Sequence, residues 1–408
     1  MANPLLISKG KLNQNSLKDQ VAIVTGSGRG IGFEAARSLA WLGAKVIIAE
    51  IDKKTGTETA LKIEKEIGDD SAYFIHTDVA NERSIKNLAN ESFKIFKKVD
   101  IVLNNATKVS IGSVKDTEIK NWDIGYQINL RGPVNLAKVF LPGMLERNKG
   151  TFVCVSSSGA APYMGAYEVF KTAQVELSNT LSLELEGTGV NVFTIGPGLV
   201  KTPGAMESIE KLAPLFKQTV DEFFEIGKDW IISVEAAGAG FAAAIALAQV
   251  FNGKEVASKY ALMEAGIDIS EKRLEQNQMT FTEGDLESAL ALCKKARETL
   301  KNLSDQWMNL NNFMKQWVMR DFKNNVGSTV EESLFKFDDL ENGLRNRDYV
   351  LLQMSKNFID KLGKYYDHYY KQAESFVKDT KIRKEQTDLI GSWQDNIKKL
   401  IEILNKLI

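Results

Sequence analysis

Six short runs of β-branched and other apolar residues alternate with helical patterns between residues 20 and 198, and this alternation restricts the fold of the chain strongly. Such alternation is typical of βαβ units, in which parallel strands form a sheet that helices cover on both faces. The predicted strands begin at residues 21, 45, 72, 101, 151 and 190, with the sequences VAIVTG, KVIIAEI, AYFIHTD, IVLNNA, TFVCVSS and VNVFTIG. We therefore predict an α/β fold with a doubly wound parallel sheet.

Chain-breaking residues almost disappear after residue 270. All seven prolines precede position 215, and 25 of the 30 glycines precede position 271. The rest of the chain is therefore predicted to be nearly all helix. We expect a first domain over residues 1–270, a linker over 271–285 and a helical, coiled-coil-like extension over 286–408.

Within this extension, apolar residues recur every seven positions, as in helices that pack along a seam. The two rows are Cys293, Leu300, Trp307 and Met314, and Ala296, Leu303, Leu310 and Trp317. They predict one long helix over 286–324, then a turn ending at Gly327 and a second stretch capped by Ser328 or Thr329. Gly391 is a candidate for a further break. The expected arrangement is a helical hairpin or small bundle.

Charge, cysteine and histidine content exclude several functional classes. A net charge of −1 without a basic run argues against nucleic-acid binding. The chain has two cysteines and two histidines, which argues against a disulfide framework and a metal site. Its start lacks the pattern of a secretory signal, and we find no stretch apolar enough for a transmembrane segment. We expect a cytoplasmic protein.

A glycine-rich turn, T-G-S-G-R-G-I-G, joins the first predicted strand to a helix. Glycines let the backbone approach a pyrophosphate closely, and a helix N-terminus offers free N–H groups to it. This pattern predicts a Rossmann-type dinucleotide site, although a strand-to-helix turn without a ligand is the alternative. The residues of the predicted cofactor loop are Gly26, Arg29, Gly30, Ile31 and Gly32.

The second predicted strand ends at Glu50, about 20 residues beyond the glycine motif. A carboxylate there can bind both hydroxyls of an adenosine ribose and would repel the 2′-phosphate of NADP. Arg29 in the glycine loop would instead attract that phosphate. We favour NAD over NADP because the carboxylate acts at contact distance, whereas Arg29 can point to solvent.

Hydroxyl, phenol and ammonium groups follow the fifth predicted strand. Ser157 is followed by Tyr167 and Lys171, which are four residues apart in A-Y-E-V-F-K and so share a helix face. Hydride transfer to a carbonyl needs a proton for the oxygen, and the reverse reaction needs a base. We expect Tyr167 to be this acid and base, with its pKa lowered by the Lys171 ammonium and by a positive nicotinamide.

The spacing T-G-x-x-x-G-x-G and the motifs that follow it resemble the short-chain dehydrogenase/reductase family over residues 17 to 268. The motifs occur in the family's order. They are Asp78-Val79, Asn104-Asn105-Ala106, Asn129 in Y-Q-I-N-L-R-G-P, Ser157, Tyr167 with Lys171, and Pro197-Gly198. The agreement is specific because it lies in the order and spacing of many motifs.

The resemblance implies a role for each matching position. Catalysis would involve Asn129, Ser157, Tyr167 and Lys171, with Asn129 positioning a water and Lys171 also holding the nicotinamide ribose. Besides the glycine loop and Glu50, the implied cofactor-binding residues are Asp78, Val79, Asn105, Ala106, Tyr167, Lys171, Pro197 and Gly198. A small carbonyl or alcohol substrate and a homodimer or homotetramer are also implied. A helical lid is expected over about 203 to 230.

The chain departs from the family pattern at two places. Thr107 stands where N-N-A-G would have glycine, and the interval from Ser157 to Tyr167 is short. Ser156 and Ser158 therefore remain alternatives for the catalytic hydroxyl. The substrate also remains open, since a ketone, a 3-oxoacyl thioester, a sugar and a polyol are all compatible.

Three functional hypotheses follow. The first is an active dehydrogenase whose extension self-associates or binds a partner. The second is a catalytically weak dinucleotide-binding sensor or scaffold, and the third makes the extension an amphipathic surface-binding module. The aromatic residues of the extension are expected to fill its own core or a homotypic coiled coil, with a partner-binding face as the alternative. They include Trp307, Trp317, Trp393 and the run YYDHYY.

Overall fold

The computed structural model describes most of the chain, which divides into two compact units, Met1–Ser270 and Glu271–Ile408. The described residues are 4–157, 161–226, 231–269, 282–310, 312–347, 349–376 and 380–407. Each unit has a hydrophobic core of its own.

Within the described residues, seven parallel strands form one sheet in the order β3-β2-β1-β4-β5-β6-β9. The strands are β1 (Val21–Thr25), β2 (Lys45–Glu50), β3 (Ala72–His76), β4 (Ile101–Asn104), β5 (Gly150–Val155), β6 (Val190–Gly196) and β9 (Glu255–Ala257). The short strands β7 (Leu199–Val200) and β8 (Ile231–Ile232) form a separate parallel pair. All six predicted strands are confirmed. Strand β9 was not predicted, because three residues are too few to show a pattern.

Helices cover both faces of the large sheet, and the described residues of the first unit contain eleven α-helices. They are α1 (Gly30–Trp41), α2 (Lys53–Ile67), α3 (Glu82–Phe96), α4 (Ile119–Tyr126), α5 (Gly132–Glu146), α6 (Gly165–Glu184), α7 (Pro203–Leu212), α8 (Val220–Ile226), α9 (Val234–Ala246), α10 (Ala248–Phe251) and α11 (Ser258–Glu264). One core contains Ala35 and Phe241 with Val24, and the opposite core contains Leu88 and Phe140. The strands read as continuous apolar runs because they are buried on both faces.

The direction of the strand order changes at β1, which pairs with β2 on one side and β4 on the other. The loops that follow β1 and β4 therefore diverge and leave a crevice at the carboxyl edge of the sheet. Ligands of open α/β sheets bind in such a crevice. All the predicted site residues after the strand ends belong to this edge or to the helices that begin there.

The second unit is all helical in its described residues. It contains α12 (Glu283–Met308), α13 (Asn312–Val326), α14 (Val330–Asn346), α15 (Tyr349–Phe376) and α16 (Thr380–Leu407). Helix α12 packs against α14 and α16, α15 packs against α14 and α16, and α13 packs against α15. The expectation of a small bundle fits this arrangement.

The prediction of one helix over 286–324 was wrong, because α12 ends at Met308 and α13 begins at Asn312. The Asn309 N–H donates to carbonyls of Gln306 and Trp307, which closes the last turn. Asparagine also favours helix ends over helix interiors. The heptad rows therefore stop contributing to the core after Trp307, and Leu310, Met314 and Trp317 are exposed.

Other details of the bundle were predicted with mixed success. Gly327 adopts a φ of 79°, and Thr329 forms a capping box with Glu332, as expected for the predicted turn. The candidate break at Gly391 was wrong, since α16 continues through it. Helix α12 begins at Glu283, within the predicted linker, and positions 271–281 of that linker lie outside the described residues.

The aromatic residues of the bundle divide between its core and its surface. Trp307, Tyr365 and Tyr366 are buried, and Trp393 packs against the core, so these confirm the expected core role. Trp317 is 50% exposed. In the described part of the chain, no helix is long and apolar enough to cross a bilayer. The same residues contain no group of three or more acidic, cysteine or histidine side chains arranged for a metal.

Candidate active site

The glycine loop follows β1 and is packed closely against the loop after β4. Gly26 has a φ of 63°, and a Cβ on it would lie 2.8 Å from the Cα of Ala106. A Cβ on Gly32 would collide with the carbonyl oxygen of Gly26. The N-terminus of α1 begins at Gly30, so its free N–H groups face the same loop. This backbone cradle fits the pyrophosphate of a dinucleotide.

Asn105 fixes the conformation of the glycine loop. Its side-chain amide donates to the carbonyl oxygens of Thr25 and Gly26, both at 2.9 Å. The Thr25 hydroxyl oxygen accepts from the backbone N–H groups of Asn105 at 3.1 Å and of Ala106 at 3.0 Å. The structure thus brings two predicted cofactor-binding residues, Asn105 and Ala106, to the loop.

Glu50 lies at the end of β2 with its carboxylate beside the glycine loop. One oxygen accepts from the Gly28 N–H at 2.9 Å, and the other accepts from the N–H groups of Ile51 and Asp52 at 2.8 Å and 3.1 Å. Arg29 is exposed, and a nitrogen of its guanidinium lies 3.8 Å from a carboxylate oxygen of Glu207. The carboxylate is therefore held in place by backbone groups, whereas the guanidinium extends toward solvent.

The remaining predicted cofactor residues lie around this crevice. Asp78 follows β3, where its carboxylate accepts from the Ala80 N–H at 2.9 Å, and Val79 is buried. Ile31 is in the first turn of α1 and packs against the core. Pro197 and Gly198 follow β6. Each of these residues therefore follows a strand of the large sheet directly or lies in the first turn of the helix after one.

Lys171 lies in α6 and is 1% exposed. Its ammonium donates to the Val155 carbonyl oxygen at 2.7 Å and lies 5.9 Å from the centre of the Tyr167 ring. Burial lowers the pKa of Lys171 to about 8, and electrostatic interactions with Cys154 and Glu168 oppose this shift. This hydrogen bond thus holds the amine at the carboxyl end of β5.

Tyr167 lies in the first turn of the same helix, with its phenol beside the hydroxyls of Ser157 and Thr107. Burial raises the pKa of Tyr167 to about 12, while hydrogen bonding by these two hydroxyls lowers it and the Glu168 charge raises it. The expectation that Lys171 brings this pKa down is wrong for the protein alone, because desolvation outweighs every other effect. The effect of a positive nicotinamide stays a prediction.

Of the two adjacent serines that the structure describes, Ser156 and Ser157, it is Ser157 whose hydroxyl lies beside Tyr167. The Ser156 hydroxyl is buried and has no partner within the described residues, and Ser158 lies outside them. Ser157 donates to a carboxylate oxygen of Glu168 at 3.1 Å. The geometry therefore favours Ser157 over Ser156 for contact with the reacting oxygen.

Glu168 was missed by the sequence reasoning. It is 6% exposed, and burial raises its pKa, whereas the Ser157 hydroxyl and the Lys171 charge lower it. The signal was present in A-Y-E-V-F-K, where an acidic residue lies between the two predicted catalytic residues. A helical position next to Tyr167 can face solvent or the sheet, and only packing decided that it faces Ser157.

Asn129 lies in a π-helical turn, Gln127–Arg131, between α4 and α5. Its side-chain oxygen accepts from the Thr107 hydroxyl at 3.0 Å and from the Lys108 N–H at 2.9 Å, and its amide donates to the Lys108 carbonyl at 2.8 Å. Its own carbonyl accepts from the Gln174 amide. A π-turn displaces backbone groups from regular pairing and is frequent at functional sites. Asn129 is thus connected to Tyr167 through Thr107.

The predicted lid consists of α7, the 3₁₀ turn Ala213–Phe216 and α8, and its last predicted residues, 227–230, lie outside the described part. Ile209, Ala213 and Phe224 form a small core of the lid. Phe216 is partly exposed and meets Tyr163 edge to face, with ring centres 5.5 Å apart. Most of the apolar side chains therefore pack the lid, and Phe216 joins it to the loop before α6.

The chain matches the short chain dehydrogenase family model over residues 20–213. It is 34% identical to an uncharacterised oxidoreductase from Thermotoga maritima over 189 residues, which are 46% of this chain and 73% of that protein. It is 33% identical to one from Staphylococcus aureus, over 46% of this chain and 80% of that protein.

Solved structures give the same result for the fold. A short chain dehydrogenase/reductase family protein is 27% identical, with a TM-score of 0.50, over 60% of this chain and 97% of that one. Levodione reductase is 21% identical, with a TM-score of 0.56, over 60% and 98%. L-sorbose reductase from Gluconobacter frateurii, solved with NADPH and L-sorbose, is 22% identical, with a TM-score of 0.54, over 60% and 96%. The strand order, the glycine loop and these matches together show that the chain belongs to the short-chain dehydrogenase/reductase family of oxidoreductases.

Proposed function

We propose that the protein interconverts a small carbonyl compound and a secondary alcohol, using NAD as the hydride carrier. The observation that carries this proposal is the meeting of Ser157, Tyr167 and Lys171 at the carboxyl end of β5. This end lies on the same sheet edge as the glycine loop. A proton donor beside a dinucleotide cradle is the arrangement that carbonyl reduction requires.

NAD would be held by the glycine loop and by the residues around it. Gly26, Gly30 and Gly32 leave room for its pyrophosphate, and Glu50 would accept from its adenosine ribose. When bound, the nicotinamide supplies or accepts the hydride. The fixed carboxylate of Glu50 supports NAD over NADP, since the 2′-phosphate would carry like charge to within contact distance of it.

Each catalytic side chain has a separate task. Tyr167 would give its proton to the developing alkoxide, and its raised pKa keeps the phenol protonated at neutral pH. Ser157 would donate to the same oxygen and stabilise its charge. Lys171 would hold the nicotinamide ribose. Asn129 would order a water between Lys171 and solvent.

Binding and turnover test this proposal together. NADH and NADPH are titrated into wild type and Tyr167→Phe, and both proteins are then assayed for nicotinamide oxidation with a panel of carbonyl compounds. We expect both proteins to bind NADH, and only wild type to turn over a substrate. Equal turnover by the two proteins would contradict the role of Tyr167. The expected magnitude of the loss is at least about 100-fold.

A second candidate is a dinucleotide-binding sensor or scaffold that acts through the helical extension. It is favoured by the exposed apolar side chains where α12 meets α13, which are Met308, Leu310, Met314 and Trp317. Tight NADH binding without turnover across the panel would support this candidate over the enzyme. We also propose a cytoplasmic setting and a homodimeric or homotetrameric state.

A further inference from the structure

A buried carboxylate that the proposed reaction does not use lies inside the candidate active site. Glu168 follows Tyr167 in α6 and is 6% exposed. One of its oxygens accepts from Ser157 at 3.1 Å, and the other is buried without a partner among the described residues. A buried carboxylate with an unpaired oxygen is costly, and such groups concentrate at functional sites. If this side chain only filled space, an apolar residue would do so at a lower cost in free energy.

The contact with Glu168 matters because a serine hydroxyl has one hydrogen to donate. In the structure this hydrogen is directed to Glu168. The Tyr167 phenolate would accept the same hydrogen, because the Ser157 hydroxyl lies within its hydrogen-bonding reach. The substrate oxygen is the third acceptor in the proposed mechanism. Three acceptors therefore compete for one hydrogen.

We propose that Glu168 is a positioning residue that withholds the Ser157 hydrogen from Tyr167 and from the substrate oxygen while its carboxylate is ionised. The inference rests on the proposed function, in which Ser157 donates to the reacting oxygen. A proton taken up from solvent by Glu168 reverses the arrangement. The neutral carboxyl then donates its own hydrogen to the Ser157 oxygen, and the Ser157 hydrogen turns toward Tyr167 and the substrate.

Few other ionisable groups surround this contact. On α6 they are Tyr167 and Lys171, whose charge acts on Glu168. On β5 the nearby ionisable group is Cys154, whose pKa burial raises to about 11, so the thiol is neutral. The loop after β4 contributes the Thr107 hydroxyl. The pKa of Glu168 is raised above its ordinary value of 4.5, so a proton is gained at higher pH than by an exposed glutamate.

The experiment compares the ionisation of Tyr167 in wild type, Glu168→Gln, Ser157→Ala and the double variant. Phenolate formation is measured by ultraviolet absorbance at one alkaline pH at which circular dichroism shows the native fold. Each protein is measured against its own Tyr167→Phe twin, so that the other tyrosines cancel. Glu184→Gln is the matched control, because Glu184 is an exposed residue of the same helix.

Glu168→Gln is expected to increase the Tyr167 phenolate about tenfold, since it removes a charge and its amide N–H can donate to the Ser157 oxygen, which leaves the Ser157 hydrogen for Tyr167. In the Ser157→Ala background the same substitution is expected to act only through charge, with an increase of about threefold. Glu184→Gln is expected to change it less than about twofold. An unchanged phenolate in Glu168→Gln, or the same fold-change in both backgrounds, would overturn the proposal.

The absorbance measurement needs neither cofactor nor substrate, so it separates this inference from the proposed function. If wild type shows no turnover but the phenolate responds as expected, the reaction is wrong and the hydrogen-bond competition is right. With a substrate in hand, kcat/KM for alcohol oxidation gives a second readout. Its rise with pH should shift to lower pH in Glu168→Gln, and the shift should be smaller when Ser157 is absent.

Discussion

The Thr107 hydroxyl donates to the Asn129 side-chain oxygen across 3.0 Å and lies beside the Tyr167 phenol. Thr107 occupies the place where the family pattern has glycine, so the departure adds a hydroxyl to the site. The side chain connects the π-helical turn that contains Asn129 with the helix that contains Tyr167.

Removing this hydroxyl should weaken the site without removing a catalytic group. In Thr107→Val, we expect kcat/KM to fall about fivefold, because the hydrogen bond that connects Thr107 to Asn129 is lost and no hydroxyl remains beside the phenol. Thr107→Ser retains the hydroxyl and is expected to stay within about twofold of wild type. Steady-state kinetics with any substrate that wild type reduces would check this, and equal losses in the two variants would contradict it.

The buried Lys171 ammonium should make stability depend on pH in a defined window. Because the folded-state pKa of about 8 lies below the ordinary 10.5, the folded protein loses this proton first as pH rises. The unfolded state then binds more protons, so stability rises between about pH 8 and 10.5. Below about pH 8 the charged amine is destabilising by about 3 kcal/mol.

Lys171→Met should therefore be more stable to unfolding than wild type, and this difference should be largest at neutral pH. The gain is reduced by about 1 kcal/mol because the hydrogen bond to Val155 is lost. Urea unfolding at neutral and alkaline pH measures this difference, which should shrink as pH rises. Lys149→Met, at an exposed position, is the control. A difference that is constant with pH would refute the assignment of the titration to Lys171.

Glu50 should set the preference between the two nicotinamide cofactors. Neutralising it in Glu50→Gln removes a charge from the position expected to face the 2′-phosphate, so NADPH binding should tighten about tenfold. NADH binding should weaken, since an amide accepts less strongly from the ribose. Fluorescence titration of both cofactors checks this, with Glu58→Gln on the exposed face of α2 as control. Unchanged NADPH affinity would argue against the placement of Glu50.

Exposed apolar residues on α4 and α6 support the proposal of a homodimer or homotetramer. Val169 is 53% exposed one position after Glu168, and Ile119 and Ile124 are exposed on α4. Light scattering of the full chain should give a dimer or tetramer, and Val169→Asp together with Ile124→Asp should shift it toward monomer. Leu61→Asp, at a 60% exposed site on α2, should not. A monomeric wild type would reject the proposal.

Much of the first unit was predictable because its strands are buried on both faces. Their apolar runs, and the glycines after β1, mark the strand ends where the site lies. In the second unit the heptad rows predicted α12 up to Trp307 and failed beyond it. A repeat reports which residues can face a seam, but Asn309 and the packing of neighbouring helices decide where a helix ends.

The sequence by itself determined six strands of the large sheet and their order along the chain, and it singled out Tyr167 and Lys171 as catalytic candidates, because local hydrophobic patterns and motif spacing carry that information. Only the tertiary structure decided that Glu168 faces Ser157, that Thr107 contacts Asn129 and that burial dominates the pKa of Tyr167. These properties depend on which groups are brought together and which are removed from water. Both follow from the packing of segments that are distant along the chain.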